Sequence, residues 1–206
     1  GSGIGLLLAV TVERPLIRFD EPMKFAQLRN PLGTFVLANS EQKKDTTGML
    51  GFIKSHVLDG AALVRKANSS FTLHSPRTPH VLSAIEKLPE DNRRPLLGTL
   101  TTRDITARGA ALFQAPRFDE AEFGRLLTEQ HAVLRDLLRI STPKIEAMIG
   151  AALDAGALGA KINGSGGGGC MFAYAPSGPE KVAAAIAAVG GRPYIVRVDE
   201  GARREI

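Results

Sequence analysis

The sequence predicts an α+β fold: a ferredoxin-like, split β-α-β antiparallel sheet with helices on one face and additional helices inserted into it. Three observations lead there. With a central helical run set aside, the elements follow the order strand, helix, strand, strand, helix, strand. Two short apolar segments, residues 158–163 and 170–175, flank the hexamer "GSGGGG", whose glycines mark a hairpin connection. A helix with clear start and stop signals precedes the first segment, and another helix follows the second.

Taken in order, residues 1–33 hold strand-like stretches at 5–12 and 15–19, punctuated by Pro15, Pro22 and Pro31, and read as a short antiparallel lead-in. The domain proper is expected over 34–206. Residues 34–39, "TFVLAN", form its first strand. Met49, Leu50, Ile53, Val57, Ala61 and Val64 then recur at three and four, an amphipathic helix over about 46–67. Shorter helices are expected at 78–88 and 102–113, separated by the loop "PEDNRRP", and a stronger one at 119–139, with Phe123, Leu127, Leu134 and Leu138 on a stripe that also carries His131. In "STPKIEAMIGAALDAGALG", Ser141 or Thr142 serves as N-cap, Pro143 sits in the first turn and Gly156 stops the helix. Ser177 and Glu180 form a capping box for the last helix, Gly190 and Gly191 close it, and residues 193–198 make the last strand.

Composition narrows the class. A chain of 206 residues with 44% apolar content buries a generous core. The apolar run at 4–10 is too short for a membrane span and lacks the flanks of a signal peptide, so no membrane partner is expected. A single cysteine, Cys170, excludes an internal disulfide framework and suits a reducing compartment, with the cytoplasm as the default. The net charge of +5 permits an anionic ligand. The basic residues are scattered, and two tyrosines with no tryptophan offer little stacking surface, so no nucleic-acid partner is expected.

The glycine cluster is costly in backbone entropy unless something must approach the chain there. Gly164-x-Gly166-x-x-Gly169 satisfies a dinucleotide fingerprint formally, but a strand rather than a helix follows it and no acid stands about twenty residues on. A P-loop would end in Gly-Lys-Ser/Thr, whereas this one ends Gly169-Cys170-Met171. A protein-kinase flap is strand-loop-strand, but neither His-Arg-Asp nor Asp-Phe-Gly occurs in the chain. What remains is a glycine hairpin between central strands, whose amides converge on an anion or whose bare backbone lets another segment lie against it. Lys161 and Asn163 lead into it from one face of the preceding strand, with Ala160 and Ile162 on the other.

"GALGAKINGSGGGGCMFAYAP", behind its Ser-Thr-Pro-capped helix, resembles the third signature motif of the GHMP superfamily of small-molecule kinases, and residues 123–161 look most like the galactokinase branch. The resemblance is specific from 123 to 175 and fair from 34 to 67. It implies the C-terminal domain of a two-domain enzyme that transfers the γ-phosphoryl of ATP to a sugar hydroxyl, with 1–33 belonging or linking to an N-terminal kinase domain. The loop Gly164, Ser165, Gly166, Gly167, Gly168 and Gly169, with Lys161 and Asn163, is then expected to shape the ATP phosphate cleft. Magnesium would arrive with ATP, since no spacing of His, Cys, Asp and Glu suggests a metal site. The family's own phosphate loop and catalytic aspartate have no match in this chain, so the catalytic residue is unassigned and the isolated chain is expected to be inactive. The alternative is a non-catalytic ligand-binding or interaction module on the same fold. His131 reads as a hydrogen-bonded core residue or an acid/base group, Cys170 as a small hydrophobe, and Lys161 as a phosphate-neutralising or merely solvated lysine.

Overall fold

The computed structural model describes residues 32–43 and 47–198. Among them lie four strands, β1 (Thr34–Asn39), β2 (Gly159–Asn163), β3 (Cys170–Tyr174) and β4 (Arg192–Arg197). Six helices accompany them: α1 (Thr47–Ala67), α2 (Pro79–Glu86), α3 (Glu90–Gln114), α4 (Glu120–Asp136), α5 (Pro143–Asp154) and α6 (Pro179–Ala188). The sheet order is β2-β3-β1-β4 with every pair antiparallel, the ferredoxin-like arrangement expected from the order of elements. The lead-in strands expected at 5–12 and 15–19 lie outside the described residues.

Alternation along each strand sorts two faces. Val36, Ala38, Ala160, Ile162, Met171 and Ala173 meet Ile145, Met148, Ile149 and Ala152 of α5 and Val182 and Ile186 of α6, a core in which most members are fully buried. Each such large side chain contributes about 1.5–3 kcal/mol by leaving water. The opposite face is aromatic: Phe35, Phe172 and Tyr174 pack with Phe113 from the end of α3 and Phe123 and Leu127 of α4. The rings meet edge to face, with Phe123 and Tyr174 centroids 5.2 Å apart at 84°. The inserted helices thus reach the sheet face that α5 and α6 leave open. A further core joins Val57, Ala61 and Val64 of α1 to Val81 and Ile85 of α2 and Leu96 and Leu100 of α3.

Two local expectations are corrected. The "PEDNRRP" stretch is no loop: α3 runs unbroken from Glu90 through Pro95 to Gln114. Glu90 and Asp91 favour the positive end of the helix dipole, and burial of Leu96 and Leu100 outweighs the backbone hydrogen bond that Pro95 removes. The capping box at Ser177 does not form. Gly178, left-handed at φ 64°, takes the N-cap position before Pro179, with no side-chain cap. By contrast Thr142 caps α5 through the Ile145 amide, and Gly156 ends the segment at φ 102°.

The free edge of β2 is closed by side chains. Thr128 Oγ1 accepts the Ala160 amide at 3.3 Å, and His131 Nδ1 accepts the Ile162 amide at 3.3 Å. Gly124, Thr128 and His131 follow one another at four and three along α4 and so face β2 together. At Gly124 the approach is so close that a Cβ would collide with the backbone of Leu158. An edge strand sealed in this way offers no template for a stray strand.

Candidate functional site

The hairpin forms as its sequence demands: Gly159 to Asn163 pair antiparallel with Tyr174 to Cys170, joined by residues 164–169. Five of the six loop residues have positive φ, from 69° at Gly167 to 109° at Gly168, values that L side chains adopt only under strain.

Two separate segments converge on this loop. The Gly167 amide donates to the Ile140 carbonyl at 2.8 Å, and a Cβ on Gly166 would stand 2.5 Å from both Cβ and O of Ile140. From the end of β1, the Ser40 amide donates to the Gly169 carbonyl at 2.7 Å, and a Cβ on Gly168 would lie 3.3 Å from Gln42. Thr142 Oγ1 donates to Gln42 Oε1 at 2.8 Å, tying the two flanking segments to each other. The glycines therefore do let other backbone lie against the hairpin. Donors also remain: the amides of Ser165 and Gly168 meet no acceptor among the described residues. Oδ1 of Asn163 is buried and unpartnered. A half-turn of that amide presents Nδ2 there instead, a donor suited to an anion. These groups fit a phosphate. Among the described residues no set of three or more His, Cys, Asp or Glu converges on a cation position.

Lys161 shares the face of Asn163, as its position in the strand requires, but it is buried rather than solvated, only 2% exposed. Its ammonium donates to the Ile162 carbonyl at 2.8 Å and lies 5.2 Å from the Phe172 ring centroid. With no carboxylate beside it among the described residues, burial lowers its pKa from 10.5 to about 8. Cys170 is half-buried at the start of β3.

His131 belongs to a buried polar group. Because Nδ1 accepts the Ile162 amide, the proton sits on Nε2, which donates to Glu146 Oε1 at 2.8 Å. Burial pushes the His131 pKa down, opposed by Glu146. Burial pulls Glu146 up, but the Ser141 hydroxyl, which donates to Oε1, then His131 and Arg135 leave it below the usual carboxylate range. Sequence reading singled out neither Glu146 nor Ser40, Gln42 or Ile140. Their contacts bridge distant parts of the chain, and no local spacing announces them.

Residues 110–192, which contain the loop, match the family model described as GHMP kinases C terminal. Among curated proteins, the chain is 51% identical over 85 residues to a mevalonate kinase of Thermococcus onnurineus, a stretch covering 41% of this chain and 25% of that protein. It is 38% identical over 89 residues to a galactokinase of Streptomyces coelicolor, covering 42% and 22%. The matched stretch thus spans about a quarter of these relatives. Among solved structures, galactokinase of Lactococcus lactis in complex with galactose superposes with a TM-score of 0.59 at 17% identity, over 85% of this chain and 46% of that one, a likeness of fold alone. No helix among the described residues is long and apolar enough to cross a membrane. The strand order and the glycine hairpin, with residues 110–192 matching that family model, give this chain the GHMP kinase C-terminal fold.

Proposed function

We propose that the chain is the C-terminal part of an ATP-dependent small-molecule kinase that passes the γ-phosphoryl of ATP to a substrate hydroxyl, giving a phosphate monoester, ADP and a proton. The observation that carries this reading is a left-handed glycine loop with unspent amides, lying within the segment that matches the kinase family. Magnesium, arriving with ATP, would screen charge between the phosphates. This chain's part is to position: residues 164–169 present amide donors, Asn163 adds a side-chain amide, and Lys161 supplies positive charge from beneath the strand. Residues 34–206 form the domain in this reading, 1–33 connect to an N-terminal kinase domain that carries the acid or base, and the enzyme works in the cytoplasm.

For the substrate, the sugar implied by the resemblance to galactokinases has a rival. The identity of 51% to a mevalonate kinase against 38% to a galactokinase favours mevalonate as the acceptor. The full-length protein given Mg-ATP with mevalonate or with galactose in parallel should release ADP with mevalonate, while residues 1–206 alone give none above background. Turnover with galactose only would restore the sugar reading. No turnover with either and no binding of Mg-ATP would leave a non-catalytic module.

A further inference from the structure

The peptide unit that carries the Ile140 carbonyl is the anchor of the glycine loop, since that oxygen receives the Gly167 amide and Ile140 fills the space a Cβ on Gly166 would need. This peptide is held from both sides. On one, the Ile140 amide donates to the Leu134 carbonyl at 3.0 Å, ending α4. On the other, the Ser141 hydroxyl donates to Glu146 Oε1, the same oxygen that receives His131 Nε2. Arg135 Nη1 approaches the second oxygen of Glu146 at 3.5 Å. The far nitrogen of His131 ends on the Ile162 amide, in the strand that leads into the loop. Both approaches to the glycines, the strand from which they spring and the turn on which they rest, thus meet in one carboxylate and one imidazole.

We propose that His131, Glu146 and Ser141 are positioning residues for the glycine loop: a hydrogen-bonded relay that sets the Ile140 carbonyl against β2 and so holds residues 164–169 in the shape that receives phosphate. The proposal rests on the reading of the loop as a phosphate cleft. None of the three needs to touch ATP. An ordinary structural role, sealing the β2 edge, is shared only by the Nδ1 side of His131, so the two roles separate by atom.

Two conservative substitutions make that separation. Asparagine at 131 ends where Nδ1 stood and keeps an acceptor for the Ile162 amide, but no longer reaches Glu146. Glutamine ends where Nε2 stood and keeps the donor to Glu146 while abandoning the Ile162 amide. In the full-length protein, His131→Asn and Ser141→Ala should speed hydrogen exchange over residues 164–169 about tenfold and weaken Mg-ATP binding by a similar factor, with the melting temperature nearly unchanged. His131→Gln, which breaks the link to β2, should weaken Mg-ATP binding as well and in addition lower the melting temperature and open residues 159–163. Loop exchange and Mg-ATP affinity that simply follow the melting temperature across the three variants would overturn the relay. Gly167→Val, measured alongside, separates the two levels. If it spares Mg-ATP binding in a folded protein, the loop reading fails and takes the relay with it; if it weakens binding while His131→Asn and Ser141→Ala do not, the relay alone is wrong.

Discussion

Replacing Lys161 by methionine removes a cation from a place where the fold disfavours charge. The ammonium is 2% exposed, its one hydrogen bond runs to the Ile162 carbonyl, and its pKa falls from 10.5 to about 8. That difference costs the folded state about 3 kcal/mol while the amine is charged in both states. The sign follows from proton counting. Below pH 8 folded and unfolded chains both hold the proton, and the full cost applies. Between about 8 and 10.5 the unfolded chain holds a proton that the folded chain has released, so stability rises with pH. Methionine has no such titration. Against Lys161→Met, the wild type should therefore gain about 2–3 kcal/mol between pH 7 and pH 10, a shift of roughly 1 M in relative urea midpoint. At pH 7 the variant should be the more stable of the two, by less than 3 kcal/mol, because the Ile162 carbonyl loses a donor worth about 1 kcal/mol. Urea titrations of both proteins at pH 7, 8, 9 and 10 decide the matter. A difference that stays flat across that range would refute the buried, unpaired amine.

Three further outcomes follow from the same contacts. Gly166→Ala, forced into left-handed φ with its methyl 2.5 Å from Ile140, should destabilise the protein by about 2–4 kcal/mol in chemical denaturation, whereas Gly150→Ala on an open face of α5 should not. Acid should loosen the β2 edge: His131 contributes its stability in full above the ordinary histidine range and loses it as pH falls through its lowered folded value. With Glu146, Arg135 and Lys161 unchanged around it, His131→Asn should show a shallower loss of stability between pH 7 and 5 than the wild type, read by denaturation. Thr128→Val keeps the shape of the side chain but strands the Ala160 amide, so it should cost about 1–3 kcal/mol and raise exchange at that amide.

What was legible in the sequence was local. The β2-loop-β3 hairpin follows from two apolar runs about a glycine hexamer, and α5 from a Thr-Pro start and a glycine stop, because those signals act within a few residues. The continuity of α3 was hidden by Pro95, whose local penalty is offset by the burial of Leu96 and Leu100 against α1 and α2. The capping box at Ser177 failed because Gly178 could adopt a backbone that placed the cap one residue later. A strand lysine beside a glycine loop reads as solvated, and only the aromatic layer of Phe35, Phe172 and Phe123 shows why Lys161 is buried. The site followed the same rule. Its glycines were visible, while Ser40, Gln42, Ile140 and Glu146 come to it across separations that no periodicity encodes.

Those separations govern when the site comes into being. Thr142 and Gln42, which brace the loop from two sides, are 100 residues apart in the chain. Ser40 reaches Gly169 over a still longer span. Closing such spans is entropically unfavourable until the intervening segments are ordered, so contacts of this kind form late, after α1, α2 and α3 have assembled their own more local core. A chain halted with its helices in place would have most of its secondary structure and none of the contacts that brace the glycine loop. If the loop receives phosphate as proposed, competence to bind waits on these long-range contacts, and a ligand for it favours the chain in which they have closed.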